Sequence, residues 1–104
     1  MDYDALENDS EEDYFKFCDW LDAVTAADLT QAKGNVSAMR AAIQRYLETG
    51  YGAHLSSGEM VDFFCVSTPN ILDMAGYSDE EADLAVKLYD EINPALFSRY
   101  YPEQ

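Results

Sequence analysis

"SDEEADLAVKLYDEI", residues 78–92, is the stretch that decides the fold class. Ser78 with Glu81 three residues on forms a capping box: the hydroxyl accepts from the N3 amide and the glutamate reaches back to the cap's own N–H. Asp79, Glu80 and Glu81 put negative charge into the first turn, where the helix dipole favours it. Beyond them Ala82, Ala85, Leu88, Tyr89 and Ile92 recur at helical spacing and draw one apolar stripe. Asp79, Glu80, Asp83, Asp90 and Glu91 fall outside that stripe, with Lys87 among them. The pattern predicts a helix with one face in a core and the other strongly acidic.

The rest of the chain carries the same period. Ser10 followed by Glu11, Glu12 and Asp13 predicts an N-cap with acids in the first turn. Tyr14, Phe17, Cys18, Leu21 and Val24 then form an apolar stripe, with Glu12, Asp19 and Asp22 largely off it. Thr25 and Asp28 suggest a second cap and a short helix that Gly34 ends. "NVSAMRAAIQRYLETG", residues 35–50, predicts a helix capped near Asn35 or Ser37 and stopped at Gly50. Its buried face is Met39, Ala42, Ile43, Tyr46 and Leu47.

"YGAHLSSG", residues 51–58, is a loop by its glycines and serines. Ser56 or Ser57 caps "GEMVDFFCV", which is apolar on nearly every side and is expected as the central buried helix, with a strand as the alternative. Thr68-Pro69 starts a short helix with proline at its first position, and Gly76 ends it. Pro94 is expected to break the chain before a last aromatic turn, "ALFSRYY". The fold class that follows is all-α: a compact single-domain bundle of five or six short helices spanning residues 1–104, with 1–9 as an acidic N-terminal segment.

A chain of 104 residues that is 48% hydrophobic and 13% aromatic can bury a core. Against that stands a net charge of −15, from 21 acids and six bases. Self-repulsion of this size disfavours the compact state, and it makes DNA, RNA and anionic membranes poor partners. Basic proteins, and the basic grooves of nucleic-acid-binding proteins above all, are the good ones. The charge is also unevenly spread. Residues 1–28 hold ten acids and one lysine, net −9; residues 29–58 hold one acid and three bases, net +2; residues 59–104 hold ten acids and two bases, net −8. Two acidic ends that packed side by side would present one continuous negative face.

Carboxylates three or four positions apart on a helix lie ~5–6 Å apart at Cβ, which is close enough to phosphate spacing for a helix face to imitate a strand. The candidate partner-binding residues are therefore Asp2, Asp4, Glu7, Asp9, Glu12, Asp19 and Asp22 at one end, with Asp79, Glu80, Asp83, Asp90 and Glu91 at the other. Tyrosines are the second class of candidate. Tyr46 and Tyr89 lie on apolar stripes and are expected in the core, while Tyr3, Tyr51, Tyr77, Tyr100 and Tyr101 fall in ends or loops and can serve as contacts. Phe15 and Trp20 mark the margins of the first helix's apolar arc.

Catalytic and metal patterns do not assemble. His54 stands in a loop near Ser56 and Ser57, with no orienting group in the pattern to make it a base. Zinc needs three or four ligands, and the chain holds one histidine and two cysteines in dissimilar settings. A calcium loop starting at Asp2 or Asp9 would need glycine where Glu7 or Tyr14 stands. No cofactor is expected. The N-terminus lacks the basic and then apolar pattern of a secretory signal, so the expectation is a cytoplasmic protein with Cys18 and Cys65 as free, buried thiols.

In composition and helix pattern, over its whole length and without a shared motif, the chain resembles the DNA-mimic inhibitors of phages and mobile elements, the anti-restriction and anti-CRISPR proteins. The resemblance implies a non-enzymatic inhibitor that occupies the nucleic-acid groove of a host defence nuclease, as a monomer or small homo-oligomer. Two other readings stand beside it. One is an antitoxin, adaptor or small regulator that binds a protein through the apolar and aromatic middle, and the other is a small hydrolase or transferase using His54.

Overall fold

The computed structural model describes residues 11–102, with side chains from Asp13 onward. Ser10, Asp2, Asp4, Glu7, Asp9 and the side chain of Glu12 lie outside the described residues. The all-α expectation holds among the described residues, but the division into five or six short helices does not. The elements are α1 (Glu11–Ala32), α2 (Val36–Gly52), α3 (Ser57–Val61, continuing as a π-helical turn over Asp62–Val66), the single turn α4 (Ile71–Met74) and α5 (Asp79–Tyr100). Without that single turn they make four helices, two of them 22 residues long.

Both long helices run through residues expected to interrupt them. Thr25 is buried inside α1 rather than capping a second helix, and the Thr30 hydroxyl donates back to the Ala26 carbonyl at 2.8 Å. Nothing between Glu11 and Ala32 is glycine or proline, so nothing forces a break. Pro94 likewise sits inside α5. Its ring is on the exposed side, and burial of Tyr89 before it and Leu96 after it holds both halves of the helix on one core.

The caps at Asn35, Ser56 and Ser78 fall where the sequence offers them. Asn35 caps α2 by accepting from the Ala38 N–H at 3.1 Å. Capping boxes close on Ser56 with Glu59, on Asn70 with Asp73 and on Ser78 with Glu81. Asn70, not Pro69, is therefore the start signal of α4; the Thr68–Pro69 peptide before it is cis. Gly50 does not stop α2. It is buried in the last turns, where an added Cβ would lie 2.2 Å from the Met60 side chain, so its role is close approach. The helix instead ends with His54 in the left-handed region at φ 68°, where Leu55 N–H reaches Gly50 O and His54 N–H reaches Tyr51 O, both at 3.0 Å. That is a Schellman ending with a histidine in the place glycine usually takes.

α2 is the central element, and α1 and α5 each pack on it while sharing no comparable interface with each other. Phe17, Leu21, Leu29, Ile43, Tyr46, Leu47, Tyr51, Met60, Phe64 and Ile71 are the large side chains with essentially no exposure. Phe64 lies between Tyr46 and Tyr89, with ring centroids 5.8 Å and 4.8 Å away, so the π-helical turn inserts its aromatic between α2 and α5. The rest of that segment corrects the expectation of a central buried helix: Met60 and Phe64 are fully buried, but Val66 is 62% exposed. Two buried residues are all that a segment this short and locally rewound presents to the core.

Candidate partner-binding surface

α5 carries most of the described candidate acids. Asp79, Glu80, Asp83, Asp90 and Glu91 are all exposed. At about 100° and 1.5 Å per residue, Asp79, Asp83 and Asp90 fall within roughly 40° of one another around the axis, separated by about 6 Å and 10 Å along it. The apolar face that buries Ala85, Leu88, Tyr89 and Leu96 fixes this stripe outward. Glu81, the acid of the capping box, is held below the usual carboxylate range by hydrogen bonds from the Ser78 backbone and side chain.

On α1 the two described candidates differ. Asp19 is exposed, as expected. Asp22 is not off the buried face: its Oδ1 is buried with no hydrogen-bond partner, and burial, then the charge of Asp19, raises its carboxyl to about 6. The physical reason is the continuity of α1. Extending the helix through Ala32 adds Thr25, Ala26 and Leu29 to the buried arc, which places Asp22 three to seven residues from buried neighbours on its own face.

The two acidic helices do not merge into one negative face. The arginines of α2 stand between them: Arg45 pairs with Asp28 of α1 at 3.3 Å, and Arg40 with Glu91 of α5 at 2.6 Å. Arg99 of α5 pairs with Glu48 of α2 at 3.7 Å. The arginines of α2 thus take up acids of both α1 and α5, while Asp79, Asp83 and Asp90 stay exposed on α5.

Several aromatics are reassigned. Tyr51 is buried in α2 and donates to Asn93 Oδ1, so it is core rather than contact. Tyr77 donates to Leu29 O at 2.6 Å and Tyr101 to Leu55 O at 3.2 Å, both half-buried, while Tyr100 is exposed. Tyr3 lies outside the described residues. Tyr46 and Tyr89 are core as expected. Phe15 and Trp20 are exposed on α1, and Trp20 with Val24 lines a groove of about 220 Å³ bounded by Asp28 and Arg45.

His54 is exposed and borders an open cleft of about 350 Å³ with Ser56, Ser57, Phe97 and Tyr101. The Ser56 hydroxyl there is engaged by the Glu59 N–H. Hydrogen bonds from Ser56 N–H and the Tyr14 hydroxyl outweigh burial at Glu59 and hold its carboxyl low. Of the thiols, Cys18 is buried, its pKa pushed up by burial to about 11, and Cys65 is half-buried with its Sγ 3.6 Å from the Val61 carbonyl. Both are poor nucleophiles in this state.

One exposed residue carries a signal that the helix pattern did hold. Leu84 is 38% exposed and stands at the edge of the buried face, one turn before Leu88 and one turn after Glu80. Compared with protein-family models, curated proteins and solved structures, the chain matches none. Among the described residues no helix is long and apolar enough to cross a membrane.

Proposed function

We propose that the chain is a non-enzymatic inhibitor that occupies the basic, nucleic-acid-binding surface of a target protein, of the DNA-mimic kind. The observation that carries this reading is the exposed stripe Asp79, Asp83 and Asp90 on α5. Its axial spacings of about 6 Å and 10 Å approximate two and three of the 3.4 Å steps at which phosphates follow one another along a strand axis. The net charge of −15 adds long-range steering toward a basic groove. The target class is a nuclease or defence complex in a host cytoplasm, with the chain supplied by a phage or mobile element and needing no cofactor.

The test is competition. The protein is titrated against a panel of nucleic-acid-bound nucleases at rising salt, beside a variant with Asp79, Asp83 and Asp90 changed to Lys. Displacement that weakens steeply with salt and disappears in the variant supports the reading. Displacement indifferent to both would remove it.

The cleft beside His54, with Phe97 and Tyr101, favours a second reading, an antitoxin, adaptor or regulator that binds a protein through its apolar surface. In that case neutralising the α5 acids leaves binding intact, and Phe97→Ala abolishes it.

A further inference from the structure

α2 and α5 point the same way: Arg40 pairs with Glu91, and eight residues further on in each helix Glu48 pairs with Arg99. Their C-termini therefore reach the same end of the molecule. His54 closes α2 from the left-handed region and Tyr101 is the C-cap of α5. Both line the open cleft of about 350 Å³, together with Ser56, Ser57 and Phe97. Each helix end carries roughly half a negative charge, so two of them together favour a cation here.

The walls suit one cation above others. The Phe97 and Tyr101 ring centres lie 5.1 Å apart, and each is 5.8 Å from the buried Tyr51 ring. The Tyr101 hydroxyl is tied to Leu55 O at 3.2 Å, which positions the rings in advance. A guanidinium is planar and weakly hydrated and stacks on such rings better than an ammonium does. The Ser57 hydroxyl oxygen can accept its N–H groups, and the Glu59 carboxylate, 2.9 Å from Ser56 N, adds negative charge next to the lining. No lysine or arginine lines the cleft. Arg99 is about 160° around α5 from Phe97 and pairs with Glu48, and Lys87 lies about 15 Å back along the axis.

The carboxylates of α5 approach the cleft on its own side of the helix. Phe97 follows Asp90 by seven residues, which sets it within about 20° of Asp90 around the axis and about 10 Å further along. Asp62 of the π-helical turn is exposed close by, since burial, then the charges of Asp90 and Asp62, raises the Cys65 thiol. The acidic stripe thus runs on into the aromatic cleft.

We propose that the cleft seats an arginine side chain of the partner, its guanidinium against Phe97 and Tyr101, while Asp90 meets a second cation about 10 Å away. The inference rests on the reading of a basic partner and adds which cation is recognised, and where. Stacking supplies a specificity that charge alone lacks.

Three fluorescein-labelled peptides of glycine and serine provide the probe. Each carries one lysine and, three residues on, Arg, Lys or Leu; an extended chain covers about 10 Å in that interval. Binding is measured by fluorescence anisotropy at low salt. The Arg peptide is expected to bind about fivefold tighter than the Lys peptide of equal charge. It should move the amide NMR signals of residues 54–57 and 97–101, a readout that needs no variant. Phe97→Leu, which keeps an apolar side chain in place and is checked by circular dichroism, should erase the Arg preference and leave the Lys peptide unchanged. Asp90→Asn should weaken both alike. Equal binding of the Arg and Lys peptides, signals that move only elsewhere, or an Arg preference that survives Phe97→Leu overturns the cleft proposal and leaves the basic-partner reading in place. Tightest binding by the Leu peptide overturns it in favour of the apolar reading. If no peptide binds at low salt, the cleft proposal and the basic-partner reading fail together.

Discussion

At Asp22 the helix period and the charge pattern make opposite demands, and the period wins. Its carboxyl sits near 6 in the folded protein against an ordinary 3.8, so the folded state holds this proton more tightly than the unfolded one. The penalty is complete above pH 6 and fades as the pH falls toward 4. Asp22→Asn is therefore expected to stabilise the protein by about 1 kcal/mol at pH 7.5, a value reduced for the group's partial exposure, and by almost nothing at pH 4. Urea titrations at the two pH values check this, and an equal gain at both would remove the cause assigned. His54 is the other strained residue. Its left-handed backbone costs a β-carbon-bearing residue roughly 1 kcal/mol that glycine escapes, so His54→Gly should raise stability by about that amount in thermal melts. The glycines around it hid this role in the sequence. Gly50 looked like the stop, yet its lack of a side chain is used against Met60, four residues before the chain turns.

At the scale of elements, the local signals that proved reliable are those closed within one turn. Ser78 and Glu81 are neighbours that meet in any helix, so their capping box was legible in advance, while of the two caps open for α2, Asn35 and Ser37, the structure uses Asn35. Pro94 shows the limit of such reading. Proline removes one helical hydrogen bond and crowds the preceding turn, but tertiary burial of Tyr89 and Leu96 on either side keeps α5 whole. The residual cost remains, and Pro94→Ala should add about 1–2 kcal/mol to stability and leave the helix boundaries unchanged by hydrogen exchange. A destabilised variant would mean that the proline's restriction of the unfolded chain outweighs its helical cost. The π-helical turn had no such local sign. "DFFCV" fits a helix or a strand equally, and the space between Tyr46 and Tyr89 that receives Phe64 is made by other elements.

Across the whole molecule, two electrostatic effects oppose each other. The exposed ion pairs made by Arg40, Arg45 and Arg99 weaken with salt and are each worth about 0–1 kcal/mol. Self-repulsion of a net −15 chain also weakens with salt, and that change stabilises. With the excess acids far outnumbering the pairs, repulsion should dominate. Raising sodium chloride from about 10 mM, where the screening length is ~30 Å, to 0.15 M should lift the melting temperature by roughly 5 °C. A melting temperature that falls instead would mean that the arginine pairs matter more than the excess charge. Helical class, the Ser78–Glu81 capping box, the outward stripe of α5 and the charge of each third were determined by the sequence itself, because each depends on residues within a few turns of one another. Which acids face water together was decided only by the tertiary structure. α2 lies between the acidic helices, its arginines take up Asp28 and Glu91, and the long α1 turns Asp22 inward. Those outcomes depend on how three helices pack, and no local pattern encodes the neighbour a side chain will meet.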